Sequence, residues 1–523
     1  MGKIRITGMN SGLDTDAMVR ELVNAYEKQG EKYTKAKTKT EWKQEAWATL
    51  NGKIKNFFTK QAGNMRFSSA YSKKKTSVSD STKASVVTGD GAVNGTQTLR
   101  INKLAKSGYL TGAELKKDNA GNPITKDTKL KDLGFDIPTD AKQTITLGIG
   151  TQGESGYKEL SFEVDGETSL ADFANLVSSK EGLNASFDEA NGRLFINSSD
   201  SGAKNNFNFV SEAGSTARSI EEALGLVEKY VTDEQGNQKR AENSAVKING
   251  EDAEIELNGA TFKSSNNNFS INGLTITAKA VSDEMSLVTD TDYDQIYDNV
   301  KNFFKEYNSL MNEMDKLFNA KSAKGYEPLT SDEKEAMTDD EIKAWETKIK
   351  DALLKNDSEL DTIASTMRNA MLSTFKIDGT EYSLSSFGIN TLGYFNVADN
   401  EKNAYHIDGN PEDPDSSGNP DKLKAMIASN PEATASFFQQ LSQKLYDAMN
   451  KIQTNSDSYT SYGSFYSDKK LQNDYVDKEK QVTKWEEYVA KQEDKYYKQF
   501  TAMESAMSSL NSQQSYISQL FAG

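Results

Sequence analysis

The side chains able to do chemistry in this chain are few. Its only histidine is His406, and it has no cysteine. A Ser-His-Asp relay would rest on that one imidazole, and a zinc site would lack both a second imidazole and any thiolate. Just beyond it, Asp413, Asp415 and Ser417 alternate ahead of Gly418, which copies the first half of a calcium loop. The position that should supply a bidentate Glu holds Lys424, and Pro414 and Pro420 restrict the backbone, so the stretch reads as an acidic surface loop with His406 beside a turn. Gly148, Gly150 and Gly153 reproduce the dinucleotide fingerprint GxGxxG after a strand-like run. Another strand-like run follows, where a helix N-terminus would have to meet the pyrophosphate, so the glycines are expected in a β-turn. Carboxylate pairs are plentiful among 78 acidic residues. None lies in an apolar setting that would separate two pKa values, and they read as solvated surface. The sequence therefore predicts no catalytic residue, no cofactor and no metal site, and it points away from an enzyme.

What the sequence does contain is periodicity. From Val19, steps of seven reach Tyr26, Tyr33, Thr40, Trp47 and Ile54, with Leu22, Gln29, Ala36, Lys43, Leu50 and Phe57 as companions. That spacing puts one largely apolar stripe along a helix. Asp14 is placed to cap it, Asp16 suits the positive helix end, and Leu13 can staple onto Met18. Near the other end, Val482, Val489, Tyr496, Met503, Leu510 and Ile517 are seven apart, and all are apolar. Their companions are Trp485, Gln492, Gln499, Ala506, Gln513 and Leu520, so half of that stripe is glutamine. A fully buried apolar side chain contributes about 1.5–3 kcal/mol, which the glutamines forfeit. Such helices are expected to be marginal alone, disordered in a free subunit and ordered on docking to a partner helix. The expected partner-binding residues are Val19, Leu22, Tyr26, Tyr33, Val482, Trp485, Val489, Tyr496, Met503, Leu510, Ile517 and Leu520.

Between these ends, residues 76–288 change to alternating patterns with Gly/Asn/Asp turns, as in Ile145, Leu147, Ile149 and Leu160, Phe162, Val164. A short helix at 169–179, with Leu170, Phe173, Leu176 and Val177 on one face, interrupts the strands. A second β cluster runs from Val246 to Ile276, after the charged, turn-rich stretch 232–243. Helical periodicity returns at Tyr293 and continues past a capping box at Thr338 and Glu341. The fold class expected is α+β multidomain, with terminal coiled-coil helices and a discontinuous helical domain carrying inserted mainly-β domains. The expected divisions are an N-terminal coiled-coil leg (1–42), the first part of the helical domain (43–75) and a β-rich head with a short helix (76–239). A second β-rich domain (240–289), able to take strands from the preceding segment, is followed by the rest of the helical domain (290–480), with a Pro/Asp loop at 406–420. A C-terminal coiled-coil leg (481–523) completes the chain.

Composition narrows the partners. At 523 residues, three or four domains are expected, and a hydrophobic fraction of 36% suits thin or elongated ones. With 62 basic against 78 acidic residues, a net charge of -16 and only eight arginines, the chain's own field repels nucleic acid and acidic membranes. No apolar run is long enough to span a bilayer, and the opening MGKIRITGMN lacks the apolar run of a cleaved signal peptide. Ile6 also spoils a myristoylation pattern. The absence of cysteine suits a chain threaded unfolded into an oxidising exterior.

Several segments together resemble the flagellar hook-associated protein 2, or filament cap, family. They are Ser11-Gly12-Leu13-Asp14-Thr15-Asp16 before the first helix, residues 91–105 with Gly95 and Lys103-Leu104-Ala105, and Asn272-Gly273-Leu274-Thr275-Ile276. Glu306-Tyr307-Asn308-Ser309-Leu310, Ser386-Phe387-Gly388-Ile389, Asn430-Pro431-Glu432 with Phe437-Phe438, and Asn511-Ser512-Gln513-Gln514-Ser515-Tyr516 follow in the family's order. Residues 110–140 are the least family-like. The resemblance implies a structural protein at the distal end of the bacterial flagellum. There it forms a ring-like homo-oligomer, commonly pentameric, whose β domains make a plate and whose legs reach onto the filament, retaining flagellin and promoting its folding and insertion. It further implies export without a cleaved signal through the flagellar type III apparatus, and a cytoplasmic export chaperone at the C-terminal helix. The alternative is a surface adhesin binding host glycans or mucin through the β-rich head.

Overall fold

The computed structural model describes residues 12–89, 91–135, 138, 140–393 and 401–521. Ser11 of the opening motif, the residues on which the signal-peptide and myristoylation readings rest, and three positions of 110–140 lie outside the described residues. The chain divides into two compact units, Met1–Tyr71 with Tyr293–Gly523, and Ser72–Asp292. In chain order the helices are α1 (Thr15–Asn56), α2 (Leu170–Ser178), α3 (Thr216–Ala223), α4 (Tyr293–Phe318) and α5 (Ser331–Glu335). They continue with α6 (Asp339–Asp351), α7 (Ser358–Met371), α8 (Lys422–Ser429), α9 (Pro431–Thr454) and α10 (Asp468–Phe521).

In the helical unit, polar caps fix where helices begin. The Asp14 side chain accepts the Ala17 amide at 2.9 Å to start α1, and Asn430 with Pro431 at the first helical position starts α9. The Thr338–Glu341 capping box forms, with the Glu341 carboxylate accepting the Thr338 amide at 2.9 Å. The core gathers Trp47, Leu50, Ile54 and Phe57 from the lower part of α1 and its continuation. Val300, Phe303, Phe304 and Tyr307 come from α4, Leu360, Ile363 and Met367 from α7, and Phe437, Phe438, Leu441 and Leu445 from α9. Each set lies three or four residues apart, so each helix turns one stripe inward. Asn308 clamps α4 to the strand Tyr405–Ile407: its amide donates to the Tyr405 carbonyl at 2.7 Å and its oxygen accepts the Tyr405 amide at 2.8 Å. The lower α1 and α4–α9 therefore share one core although some 220 residues intervene, as expected for a discontinuous domain.

The β unit holds two hydrophobic cores. One lies beneath an antiparallel five-stranded sheet ordered Lys74–Val78, Ser282–Thr291, Gly95–Lys103, Ala253–Leu257, Ala260–Ser264, and a three-stranded sheet ordered Asn268–Ile271, Leu274–Ala278, Ala84–Thr88. Leu99, Ile101, Ile255, Ile276 and Leu287 fill it. Two hairpins here turn on Asn258-Gly259 and Asn272-Gly273, all four residues with positive φ, the backbone that a two-residue hairpin matched to strand twist requires. The other core, with Ile145, Leu147, Phe173, Ile196 and Phe207, lies among α2, α3 and the strands between Ser107 and Ile248. The strands before residue 105 thus pair with those after 250, so the second core nests one β-rich body inside the other rather than dividing them at residues 239 and 240. The reason is register: Leu99 and Ile101 face Leu257 and Ile255 across one ladder and Met285 and Ser282 across the other.

Candidate functional site

The long ends of α1 and α10 lie side by side and antiparallel. Moving up α1 from Gln44 to Tyr26, the contacts move down α10. The Gln44 amide donates to the Leu471 carbonyl at 3.2 Å, Lys37 meets Glu479 at 3.2 Å, Tyr33 lies 5.4 Å from Trp485, and the Tyr26 hydroxyl is 3.2 Å from that of Tyr496. At the middle of this pair the Trp485 indole sits on Gly30. A Cβ built on Gly30 would fall 2.3 Å from Trp485 Cδ1, so only glycine admits the ring. The indole N–H donates to the Tyr26 carbonyl at 2.9 Å. Tyr33, Trp485, Tyr488 and Tyr26 then follow one another with centroids 5.1–5.8 Å apart. The Glu479 carboxylate holds the Lys37 ammonium and raises its pKa.

The expected partner-binding residues divide accordingly. Val19 is buried, and Tyr26, Tyr33, Val482, Trp485, Val489, Tyr496 and Met503 are half-buried along the pair. Leu22 is 41% exposed. The inner companion stripe of upper α1 falls on Val23 and Gly30 instead, because four-then-three spacing from Val19 keeps the antiparallel helix in contact while three-then-four turns away from it. Gly30 carries no apolar signal, and only its complementarity to a tryptophan elsewhere in the chain could have singled it out. Over this stretch α1 and α10 supply each other's seam within one chain. Past Glu504 the situation changes. Leu510 (62% exposed), Ile517 (52%) and Leu520 (64%) face solvent on α10, as does Phe521.

The motifs considered for chemistry fold as structural parts. Gly148 lies within the strand Gln143–Ile149, Gly150 and Gly153 adopt positive φ in the turn, and the next element is the strand Lys158–Val164. The Tyr157 hydroxyl lies 2.4 Å from where a Gly148 Cβ would be, so the glycine admits that ring. His406 sits in the strand Tyr405–Ile407, with Nδ1 2.7 Å from the Asp413 carboxylate, and Asp415 completes a small group of donors. Asp413 also accepts the Asp415 amide at 3.1 Å, which shapes the loop. Lys424 turns away to Asp294 at 2.9 Å, so the position a calcium loop needs for its last carboxylate is committed elsewhere.

The chain matches the flagellar hook-associated protein 2 N-terminus over residues 11–108 and the flagellar hook-associated protein 2 C-terminus over residues 250–512. Flagellar hook-associated protein 2 of Halalkalibacterium halodurans is 25% identical over 431 residues, covering 78% of each chain. The protein of that name from Thermotoga maritima is 25% identical over 281 residues, 52% of this chain and 38% of the other. Among solved structures, the D1-D2-D3 domains of the flagellar cap protein FliD from Escherichia coli align with a TM-score of 0.49 at 17% identity, covering 79% of this chain and 98% of that one. Helical ends, a discontinuous helical unit and an inserted β unit thus coincide with sequence matches to both ends of one family, and the chain belongs to the flagellar hook-associated protein 2 family.

Proposed function

We propose that this chain is a subunit of the cap at the distal end of a flagellar filament, a structural protein without enzymatic activity. Copies associate into a ring whose β units form the plate and whose α1–α10 legs engage flagellin, holding an insertion site open while the emerging subunit folds. The ring has five members, as is common for the family. The chain reaches the flagellum tip through the flagellar export apparatus without a cleaved signal, its C-terminal helix guarded by a chaperone beforehand. One observation carries the reading: the distal part of α10 extends past Glu504 as a helix with Leu510, Ile517 and Leu520 exposed. From Gln499 to Phe521 it holds one charged residue, Glu504, the rest being Ser, Gln, Asn, Thr, Ala and apolar side chains. A helix of this composition can lay its stripe against another amphipathic helix without desolvating charges. The ordering of a partner helix and the polar share of the stripe keep the net affinity modest, so a leg can release and rebind as the filament grows.

The test is Leu510→Asp and Ile517→Asp in the full chain, scored by electron microscopy of filaments and by circular dichroism of the purified protein. Filament growth is expected to fail with unchanged secondary structure; filaments of ordinary length from either variant would refute the role given to the stripe.

A further inference from the structure

Between α4 and α7 the chain makes an excursion, residues 319–355, that returns to its starting point. Its neck is closed by the Asn356 amide donating to the Phe318 carbonyl at 3.1 Å and by Lys355 Nζ donating to the Ala320 carbonyl at 2.6 Å. Within it only Pro328, Ile349 and Leu354 are buried; every other side chain is half-buried or exposed. So little apolar area leaves hydrophobic burial a minor part of what holds the excursion in place.

Charge holds the rest. On one side of α1, Lys35, Lys39 and Lys43 stand four residues apart, one helical turn between each. Each meets an acid of the excursion or of the α7 cap: Lys35 meets Glu333 at 2.7 Å to both oxygens, Lys39 meets Glu327 at 3.8 Å, and Lys43 meets Asp357 at 2.9 Å. The Lys350 ammonium lies 4.5 Å from the Trp42 ring centroid, a further cationic contact on the same side of α1. Inside the excursion, Glu346 ties α6 to α5 through Lys334 at 2.8 Å, and within α6 it also meets Lys350 one turn on at 3.4 Å. The ladder falls between the level of Tyr33, where α1 is paired with α10, and Trp47, where it enters the helical core. It therefore grips the root of the leg.

We infer that residues 319–355 are an electrostatic strap that braces the root of the leg and opens as a unit, its neck and the helical core staying intact. Two of the three ladder contacts have one partner at least a third exposed and the third has both, so salt screens them, whereas the core beneath is held by buried apolar side chains that salt leaves untouched. The strap thus sets how firmly the leg is held, by a means separate from the seam itself. This property belongs to the chain alone and does not depend on the proposed cap role.

Hydrogen exchange of the full chain tests it, read on the α6 amides and on those of α7 and α9 as an internal reference. Between about 0.1 M and 1 M NaCl the screening length falls from about 10 Å to about 3 Å. The α6 amides should exchange about tenfold faster at the higher salt while α7 and α9 do not change, the size expected when the partly exposed pairs that hold the strap are screened together. The Lys35→Gln/Lys39→Gln variant should show the faster α6 exchange already at low salt and respond little to added salt, and Lys35→Arg/Lys39→Arg should restore slow exchange. Salt-independent α6 exchange in the natural chain, or acceleration shared equally by α7 and α9, would overturn the inference. So would a glutamine variant that kept the natural protection. Should the glutamine variant unfold the unit, the salt series on the natural chain decides alone.

Discussion

Gly30→Ala is the sharpest probe of the leg, because two opposed effects meet at one atom. Replacing a mid-helix glycine by alanine ordinarily stabilises a helix by about 0.5–1 kcal/mol. Here the new Cβ would lie 2.3 Å from Cδ1 and 2.4 Å from Nε1 of Trp485, well inside contact distance, so the indole must leave. Its departure breaks the N–H donation to the Tyr26 carbonyl, about 0.5–1.5 kcal/mol. It also separates the ring from Tyr33 at 5.4 Å and Tyr488 at 5.1 Å, each pair contributing about 0.5–1.5 kcal/mol. At mid-range the losses come to about 3 kcal/mol against a gain of under about 1, leaving the leg destabilised by about 2 kcal/mol. Hydrogen exchange of the α1 amides between Val19 and Thr40 should accelerate about tenfold or more, with the amides of α4 and α9 unaffected. In a Trp485→Ala background the space above Gly30 is open, and the same substitution should stabilise the leg by about 0.5–1 kcal/mol. The reasoning fails if Gly30→Ala stabilises the natural chain, or if its effect has the same sign and size with and without Trp485.

Two further outcomes follow from the same geometry. Val23→Ala should weaken the leg by about 1–2 kcal/mol, since Val23 is buried, while Leu22→Ala, at a 41% exposed position, should change it by under about 0.5 kcal/mol; exchange of α1 amides compares the two. Burial raises the Asp315 carboxyl above its ordinary value, although Asn403 at 2.6 Å and Arg368 at 3.5 Å favour the charged form. The folded state therefore binds this proton more tightly than the unfolded chain, and the site's contribution to stability is greatest below the unfolded value of about 3.8 and declines as pH rises through the folded one. Melting temperatures from pH 3 to 7 should show that decline reduced in Asp315→Asn, and an unchanged slope would contradict it.

The α1–α10 pair also bears on how a half-polar seam can be stable at all. Glutamine and lysine positions that forfeit burial are used here for polar contacts across the pair, as in Gln44 to the Leu471 carbonyl and Lys37 to Glu479. Aromatic contacts concentrate where the glycine lets the helices approach. From Leu510 onward the apolar positions of α10 are exposed, which is why the leg divides into a self-paired length and an exposed one.

Read alone, the sequence determined what depends on neighbours in the chain. Alternation marked the strands, seven-residue spacing marked the long helices, and Asp14 and the Thr338–Glu341 box marked where helices start, because caps and amphipathic faces are set within a few residues. The return of helical periodicity after the β block was enough to expect a discontinuous helical domain. Tertiary structure alone decided which stripe of α1 is buried, since Leu22 and Val23 are equally apolar and only the position of α10 distinguishes them. It paired the strands before residue 105 with those after 250, and it placed Trp485 over Gly30, 455 positions apart. It also brought Lys35 and Lys39 of α1 onto the acids of the strap and Lys43 onto the α7 cap. Contacts between segments hundreds of residues apart leave no local period, because the free energy that selects them comes from fit and charge between surfaces that exist only once the chain has folded.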